Sequence, residues 1–435
     1  MTKTRIFLTS LLAFVLLFSS IAAVSADPPP VPSSFYGEIH FISGDGVPVI
    51  GDFIEAYVPG VTGYVVRSEI FSYDSELVYT IKVPGDDPET PEKDGGLDDD
   101  VITFKINDRI VATATWQSGP NVELNIHPPK ADAGGPYVGV VNESTALSGS
   151  KSDWLSADTF TYAWDLDNDG LYDDATGQAP SHTFTSTGTK AIALKVVDGQ
   201  DGEGIDSSEA VIVSITGLTG QVYDGTAKSV TVTGVQTPYS YTVTYNGSAT
   251  APSDAGTYTV AVEILNGTTS IGTITKTMTI NQKTASVTPN ATSKTYGDDD
   301  PTFTGTLTGF VPSDGVSANY SRTPGETVAG SPYIISASLI PTEVLDNYDI
   351  TYNTAGFTIN PKAASVTPNA NGKVYGDSEP TLTGSLTGFL GADNVTAEYS
   401  REAGETVAGS PYTISAELSP TGVLGNYDIA YNTAN

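Results

Sequence analysis

Lys283-Thr-Ala-Ser-Val-Thr-Pro-Asn-Ala291 begins a segment that the chain writes out again from Lys362-Ala-Ala-Ser-Val-Thr-Pro-Asn-Ala370. Gly325-Glu-Thr-Val-Ala-Gly-Ser-Pro-Tyr333 returns unchanged at 404–412. Asn347-Tyr-Asp-Ile-Thr-Tyr-Asn-Thr-Ala355 returns with one change at 426–434. Roughly 50 of about 74 aligned positions are identical, more than a shared fold alone maintains. The first copy runs on through Phe357-Thr358-Ile359-Asn360, an alternating stretch that reads as a closing strand. The second copy reaches Asn435, where the counterpart of that strand would start. A β-domain without its last strand exposes an unpaired edge, which natural proteins avoid, so the expectation is a longer modular protein.

Outward from the repeats, the composition agrees with strands. Thr, Ser, Gly, Asn and Val are abundant, and no segment beyond the first 26 residues holds a 3.6-residue apolar period. Residues 1–26 read as a secretory signal: Lys3 and Arg5, an apolar run from Ile6 to Val24, and small residues Val24-Ser25-Ala26 at the cleavage point. No later stretch is apolar enough to span a bilayer. The roughly 400 residues left exceed one core and suggest three to five domains. Cysteine is absent, so an exported chain of this kind holds together by burial and β-ladders rather than disulfides. A net charge of −32 argues against nucleic acid as a partner, because a phosphate polymer would be repelled.

The expected organisation is an all-β tandem array of Ig-like and prealbumin-like β-sandwich domains. After a Pro-rich linker at 27–34, the first module covers 35–127. Its runs Tyr36–Phe41, Ile54–Val58, Leu77–Val83, Val101–Ile106, Val111–Trp116 and Val122–Ile126 alternate between apolar and polar residues, punctuated by Gly, Pro and Asp. With Gly37-Glu38-Ile39, Glu55-Ala56-Tyr57 and the Val-Pro-Gly-Asp-Asp loop, it resembles the carboxypeptidase-regulatory-like, prealbumin-type sandwich.

The second module, 128–216, carries Ala131-Asp-Ala-Gly-Gly-Pro-Tyr137, then Leu147-Ser-Gly-Ser150, then Tyr162-Ala-Trp-Asp-Leu-Asp167. Ser181-His-Thr-Phe184, a strand to Asp198 and an exit strand Glu209–Ile215 follow. It resembles a PKD domain, which implies an Ig-like sandwich with Trp164 packed between sheets and a spacer or binding role. The units 217–282, 283–361 and 362–435 share an early Tyr turn: Tyr223-Asp-Gly225, Tyr296-Gly-Asp298 and Tyr375-Gly-Asp377. They are similar to the MBG repeats of long bacterial adhesin-like proteins, the third lacking its final strand.

Chemistry concentrates in Asp165-Leu-Asp167-Asn-Asp169-Gly-Leu-Tyr-Asp173-Asp174. Hard oxygen ligands on alternate residues, with a glycine to turn the chain, are what a loop needs to wrap Ca2+. The spacing matches the first half of an EF-hand loop. The twelfth position is Thr176 rather than Glu, which leaves Asp173 or Asp174 to supply the missing carboxylate. The alternative is an acidic solvated turn, since Asn-Asp-Gly suits one unaided. The clusters Asp86–Asp100 and Asp198–Glu203 divide the same way between solvated loop and cation site.

Three histidines, His40, His127 and His182, are too few and too scattered for a recognised catalytic motif. No nucleophile elbow, zinc-helix motif or phosphate loop occurs, and a thiol nucleophile is impossible. The chain is read as no enzyme. Trp154 is the best exposed aromatic for stacking on a sugar. Trp116, Trp164 and the paired Tyr320/Tyr399, Tyr333/Tyr412 and Tyr348/Tyr427 are expected in cores. Asn142, Asn246, Asn266, Asn290, Asn319 and Asn394 open sequons.

These features describe a secreted or cell-surface, non-catalytic stalk or adhesin with an extracellular protein or carbohydrate as partner. Two alternatives stand beside it: the accessory region of a secreted polysaccharide- or protein-degrading enzyme, and a surface-layer component that self-associates.

Overall fold

A computed structural model of the chain describes residues 28–42, 46–153 and 159–435. Strand follows strand among these residues, broken by 3-10 turns and one four-residue helix, Thr421–Leu424. The all-β expectation is met. The segment read as a secretory signal lies outside the described residues. No helix among the described residues is long and apolar enough to cross a membrane. The chain divides into two units: 1–213 with 234–237, and 214–233 with 238–435.

The first unit opens with a two-sheet sandwich. One sheet runs Phe71–Tyr73, Glu76–Val83, Ser33–Glu38, Asn121–Glu123; the other runs Val66–Glu69, Phe53–Tyr57, Val101–Ile106, Arg109–Thr115. Period-2 alternation builds the core. Ile102, Phe104 and Ile106 are buried while Val101 on the opposite face is exposed. Phe35 of the facing sheet meets Phe104 edge to face, ring centroids 5.0 Å apart. Each such side chain stabilises the sandwich by about 1.5–3 kcal/mol. Trp116 closes one end, its indole N–H donating to the Val83 carbonyl at 3.1 Å.

The second sandwich of this unit is built on a sheet in the order Tyr137–Val140, Glu203–Thr216, Gly188–Val197, Thr161–Asp165, Ala175–Thr176. Two short ladders complete it, Ser144–Ala146 with Ser181–Thr183 and Ser150–Ser152 with Lys130–Asp132. Trp164 sits at the centre with Leu147, Phe184, Leu194 and Ile212, and its indole N–H donates to the Gly177 carbonyl at 3.0 Å. Gly149 is required beside it: a Cβ there would lie 2.9 Å from the Trp164 ring and 2.5 Å from Leu194.

The second unit holds three further sandwiches in series. In the first, Gln221–Val222, Thr269–Asn281, Gly256–Asn266 and Tyr239–Tyr245 form one sheet. The second pairs Gly305–Thr308, Lys283–Pro289, Tyr348–Tyr352 against Thr292–Thr295, Ala355–Asn360, Tyr333–Ile340, Ser317–Arg322. The third repeats the small sheet as Gly384–Thr387, Lys362–Pro368, Tyr427–Tyr431, but its other sheet has only Thr396–Arg401 and Ile414–Ser419. Tyr333, Tyr348 and Tyr427 are buried, as expected of repeated core residues; Tyr320, Tyr399 and Tyr412 are half-buried.

A charge network caps the core of the second repeat. Arg322 donates to Asp300 through Nε at 2.7 Å and Nη2 at 2.9 Å, and also pairs with Glu326. Lys294 reaches Asp300 at 2.8 Å and Glu326 at 2.5 Å. Hydrogen bonds from Arg322, aided by Lys294 and opposed by desolvation, hold the Asp300 carboxyl down at about 2. Lys294 foremost, then Arg322, lowers Glu326 as well. A depressed carboxylate stabilises the fold above its unfolded pKa and loses that contribution as pH falls through its folded value. Acid titration should therefore cost this repeat about 1 kcal/mol between pH 4 and 2, discounted because the Asp300 side chain is 33 % exposed. Differential scanning calorimetry across that range checks it: Arg322→Met should flatten the loss, and an unchanged acid slope would refute the assignment.

Candidate metal centre and repeat junctions

Asp165 ends the strand Thr161–Asp165, and Asp174 stands just before the partner strand Ala175–Thr176. Pairing of Trp164 with Ala175, and the Asp174 N–H on the Trp164 carbonyl at 3.2 Å, bring the two ends of the acidic loop together. Asn168 and Gly170 adopt positive φ of 62° and 88°, which folds the loop tightly between them. Asp165 is buried, 4 % exposed. Its Oδ1 accepts the Asn168 N–H at 2.6 Å and its Oδ2 the Gly170 N–H at 3.0 Å. Asp174 Oδ2 accepts from Leu166 at 2.6 Å and Asp167 at 3.1 Å.

The result gathers Asp165, Asp167 and Asp174, with one carboxylate oxygen of each within 4.8 Å of the others. Asp169 and Asp173 are not brought into the cluster. Asp169 instead accepts the Leu171 N–H at 2.8 Å, as a turn residue does. Desolvation first, then the neighbouring Asp169, Asp174 and Asp165 charges, raise the Asp167 carboxyl. No basic side chain pairs with the three clustered carboxylates among the described residues. The donor set is all hard oxygen and suits a divalent cation. Three carboxylates fall short of a full Ca2+ shell, so carbonyls or water would have to complete it.

The other acidic loops are tied into the fold. Asp100 accepts from Lys93 Nζ and the Leu97 N–H, both at 2.7 Å, and these contacts outweigh desolvation to lower its carboxyl. Asp198 Oδ1 takes the N–H groups of Gln200 and Gly202 at 2.8 Å each, and Asp201 takes the Thr113 hydroxyl at 2.6 Å. Among the histidines, His40 bonds Glu38 at 2.9 Å, His127 is buried, and His182 lies edge-on to Phe184. Trp154, the exposed aromatic expected from the sequence, lies outside the described residues.

A second constellation joins the repeats of the second unit. Tyr223 of the first donates to Asp314 of the second at 2.9 Å, and Tyr348 donates to that same carboxylate. The two rings meet edge to face, 5.4 Å apart at 79°. Asn347 accepts the Ala255 N–H at 2.7 Å. The next junction repeats the pattern. Tyr296 reaches Asp393 at 3.2 Å, Tyr427 donates to Asp393, the rings again lie 5.4 Å apart at 79°, and Asn426 accepts the Val328 N–H at 3.0 Å. Burial, then hydrogen bonding to the shared carboxylate, pushes the Tyr223, Tyr348 and Tyr427 hydroxyls up to about 12. The sequence exposed the matched tyrosines but not this role. The available signal was an Asp at 314 and 393, and a Tyr at 223 and 296, kept in step across the repeats.

Family models match the chain in the same order as these sandwiches. Residues 126–213 match the PKD domain, 212–285 the MBG domain, and 285–358 and 364–435 the MBG domain of YGX type. The chain carries one PKD domain followed by three MBG domains. The Tyr-Gly of the YGX type stands at Tyr296-Gly297 and Tyr375-Gly376, so the first of these tyrosines is itself a junction residue. No curated protein matches the chain.

Solved structures resemble it only in outline. The fibronectin(III)-like modules of Clostridium thermocellum CbhA are 14% identical, covering 43% of this chain and 93% of theirs, with a TM-score of 0.19. Drosophila N-cadherin EC1-4 is 10% identical over 75% of this chain and 100% of its own, with a TM-score of 0.18. Bacteroides ovatus SGBP-B, solved with a mixed-linkage heptasaccharide, is 10% identical over 54% of this chain and 72% of its own, with a TM-score of 0.15. Likeness at this level carries no argument about function.

Proposed function

We propose that this is a non-catalytic, exported surface protein, a modular stalk or adhesin whose PKD and MBG domains hold their loops out toward an extracellular protein or glycan. The observation that carries the reading is the duplicated junction. The same Tyr–Asp–Tyr contact and the same Asn-to-backbone bond recur at both MBG boundaries. Neighbours tied by ring stacking and hydrogen bonds cannot swing freely, and restricted swing is what a spacer needs. Small-angle scattering of the full chain tests it. The double variant Tyr223→Ala/Tyr296→Ala should broaden the distance distribution while each repeat stays folded. A wild-type profile as broad as the variant's would remove the stalk reading.

Ca2+ at Asp165, Asp167 and Asp174 belongs to the same proposal, as an ion that neutralises and stiffens the acidic loop at the millimolar levels found outside cells. Titration calorimetry of the full chain with CaCl2 is the test. Asp167→Asn should weaken binding by about tenfold or more, because it removes one anionic ligand. It should leave the metal-free melting temperature nearly unchanged, since Asp167 caps only the Asp169 N–H. A wild-type titration without heat, and without a Ca2+-dependent rise in melting temperature, would leave the loop as an acidic turn.

A further inference from the structure

Tyr239-Ser-Tyr-Thr-Val-Thr-Tyr245 is the outermost strand in the sheet of the first MBG domain, and it pairs along its whole length with Gly256–Asn266. Among the described residues no strand lies along its other side. Tyr245 exchanges main-chain bonds with Ser248 at 2.7 and 2.9 Å, so its N–H and carbonyl point away from Gly256–Asn266. The next residue, Asn246, points back and donates to the Thr259 carbonyl at 2.8 Å. Antiparallel ladders alternate in this way, so Val243 and Tyr241 also aim their N–H and carbonyl groups outward. Ser240, Tyr241 and Thr242 are exposed, Tyr241 by 43%.

An open edge of this kind is a template for another strand, and proteins usually blunt it with charge, proline or a bulge. Strand 239–245 has none of these: it contains no Lys, Arg, Asp, Glu or Pro, and its register against 260–266 is unbroken. The matching edge strand of the second MBG domain, Ser317–Arg322, carries Arg322. That of the third, Thr396–Arg401, carries Glu398 and Arg401. The unguarded strand is also its own complement. Turned antiparallel to a copy of itself about Thr242, it sets Tyr241 opposite Val243 of the copy, Ser240 opposite Thr244, and Thr242 opposite itself. Aromatic with β-branched, and hydroxyl with hydroxyl, are cross-strand pairs that stabilise a sheet.

We propose that Tyr239–Tyr245 is a self-pairing edge whose partner is the same strand of a second copy of this chain. The contact is two-fold symmetric. Tyr241 and Val243 of each copy exchange both main-chain bonds with Val243 and Tyr241 of the other, which joins the two sheets into one. Tyr245 stays with Ser248, which stops the ladder there and fixes its register. Charge permits the approach in spite of the net −32. Glu263, opposite Thr242, is the one acidic residue of Gly256–Asn266. Its two copies would stand about 14 Å apart, three strand spacings, where the screening length is about 8 Å at physiological ionic strength. A contact of single strands is small and weak alone, and gains when many copies stand side by side on one surface. It depends on this edge and not on the stalk reading.

Sedimentation of the full chain between about 10 and 500 µM tests it, a range that brackets so small a contact. The expected result is a reversible monomer–dimer equilibrium at about 0.15 M salt, weakened about tenfold or more at about 0.01 M, where screening no longer hides like charges. Amide exchange should slow with concentration at Tyr241 and Val243. It should not change at Ser240, Thr242 or Thr244, whose N–H groups already face Gly256–Asn266. Thr242→Lys sets like charges opposite each other and should abolish the dimer with little change in melting temperature. Thr242→Glu should be monomeric too, and an equimolar mixture of the two variants should pair again. A wild type that stays monomeric throughout, a dimer that Thr242→Lys leaves intact, or a mixture that fails to pair would each overturn the proposal.

Discussion

Phe357→Ala is expected to destabilise the second MBG domain by about 3–5 kcal/mol, the range for truncating a buried aromatic. Phe357 is fully buried in a cluster with Tyr333, Ile335 and Ile359, and Arg322 and Phe303 both press on its ring. Removing the ring opens a void that rigid strands on three sides cannot close. It also leaves Arg322 without the face that shields its ion pairs. Calorimetry of the full chain should show one transition moving down by tens of degrees, if about 1 kcal/mol shifts a domain this small by 4–8 °C. A loss under about 1 kcal/mol would mean that Phe357 does not anchor the strand.

Trp164→Ala should have an effect of similar size, about 3–5 kcal/mol, on the PKD domain. The side chain is fully buried, and its loss would also leave the Gly177 carbonyl without its indole donor. This substitution has a second readout. Trp164 and Asp165 are adjacent on one strand, and the Trp164 carbonyl holds the Asp174 N–H. Loosening the core therefore loosens the frame on which the three clustered carboxylates stand. Affinity at the proposed Ca2+ site should fall along with stability, whereas Asp167→Asn should lower affinity alone. A Trp164→Ala protein that kept wild-type stability, by denaturant or thermal melts, would contradict the placement of this ring in the core.

Much of this architecture was legible because alternation is strict where strands are central. Val101–Ile106 could be placed to the residue, since its buried and exposed positions alternate without a break. Val66–Glu69 and Phe71–Tyr73 escaped notice. They are edge strands, Val-Arg-Ser-Glu and Phe-Ser-Tyr, whose mostly solvent-facing side chains leave no apolar rhythm. The exit strand of the PKD domain starts at Glu203 rather than Glu209, because its first half carries Asp and Ser on a face turned to solvent.

At the acidic loop the residue types left a cation site and an acidic turn both open, and five aspartates compete for any inward place. Which of them turn inward depends on the positive φ at Asn168 and Gly170, and that sorts Asp174 from Asp173 and Asp167 from Asp169. The junctions were hidden for another reason. Tyr223 and Asp314 are 91 residues apart and belong to different repeats, so each looks like an ordinary member of its own domain.

The two junctions also bear on how such an array can change length. The second MBG domain carries Tyr296 at one end and Asp314, Asn347 and Tyr348 at the other, so its two ends are unlike and the contact is head to tail. A heterologous contact of this kind does not close on itself by symmetry. A duplicated domain therefore arrives with both halves of the contact already encoded, and it can join its neighbour without any new surface having to evolve. The near-identity of residues 283–356 and 362–435 is what such copying would leave behind, with the junction residues inherited intact at each step.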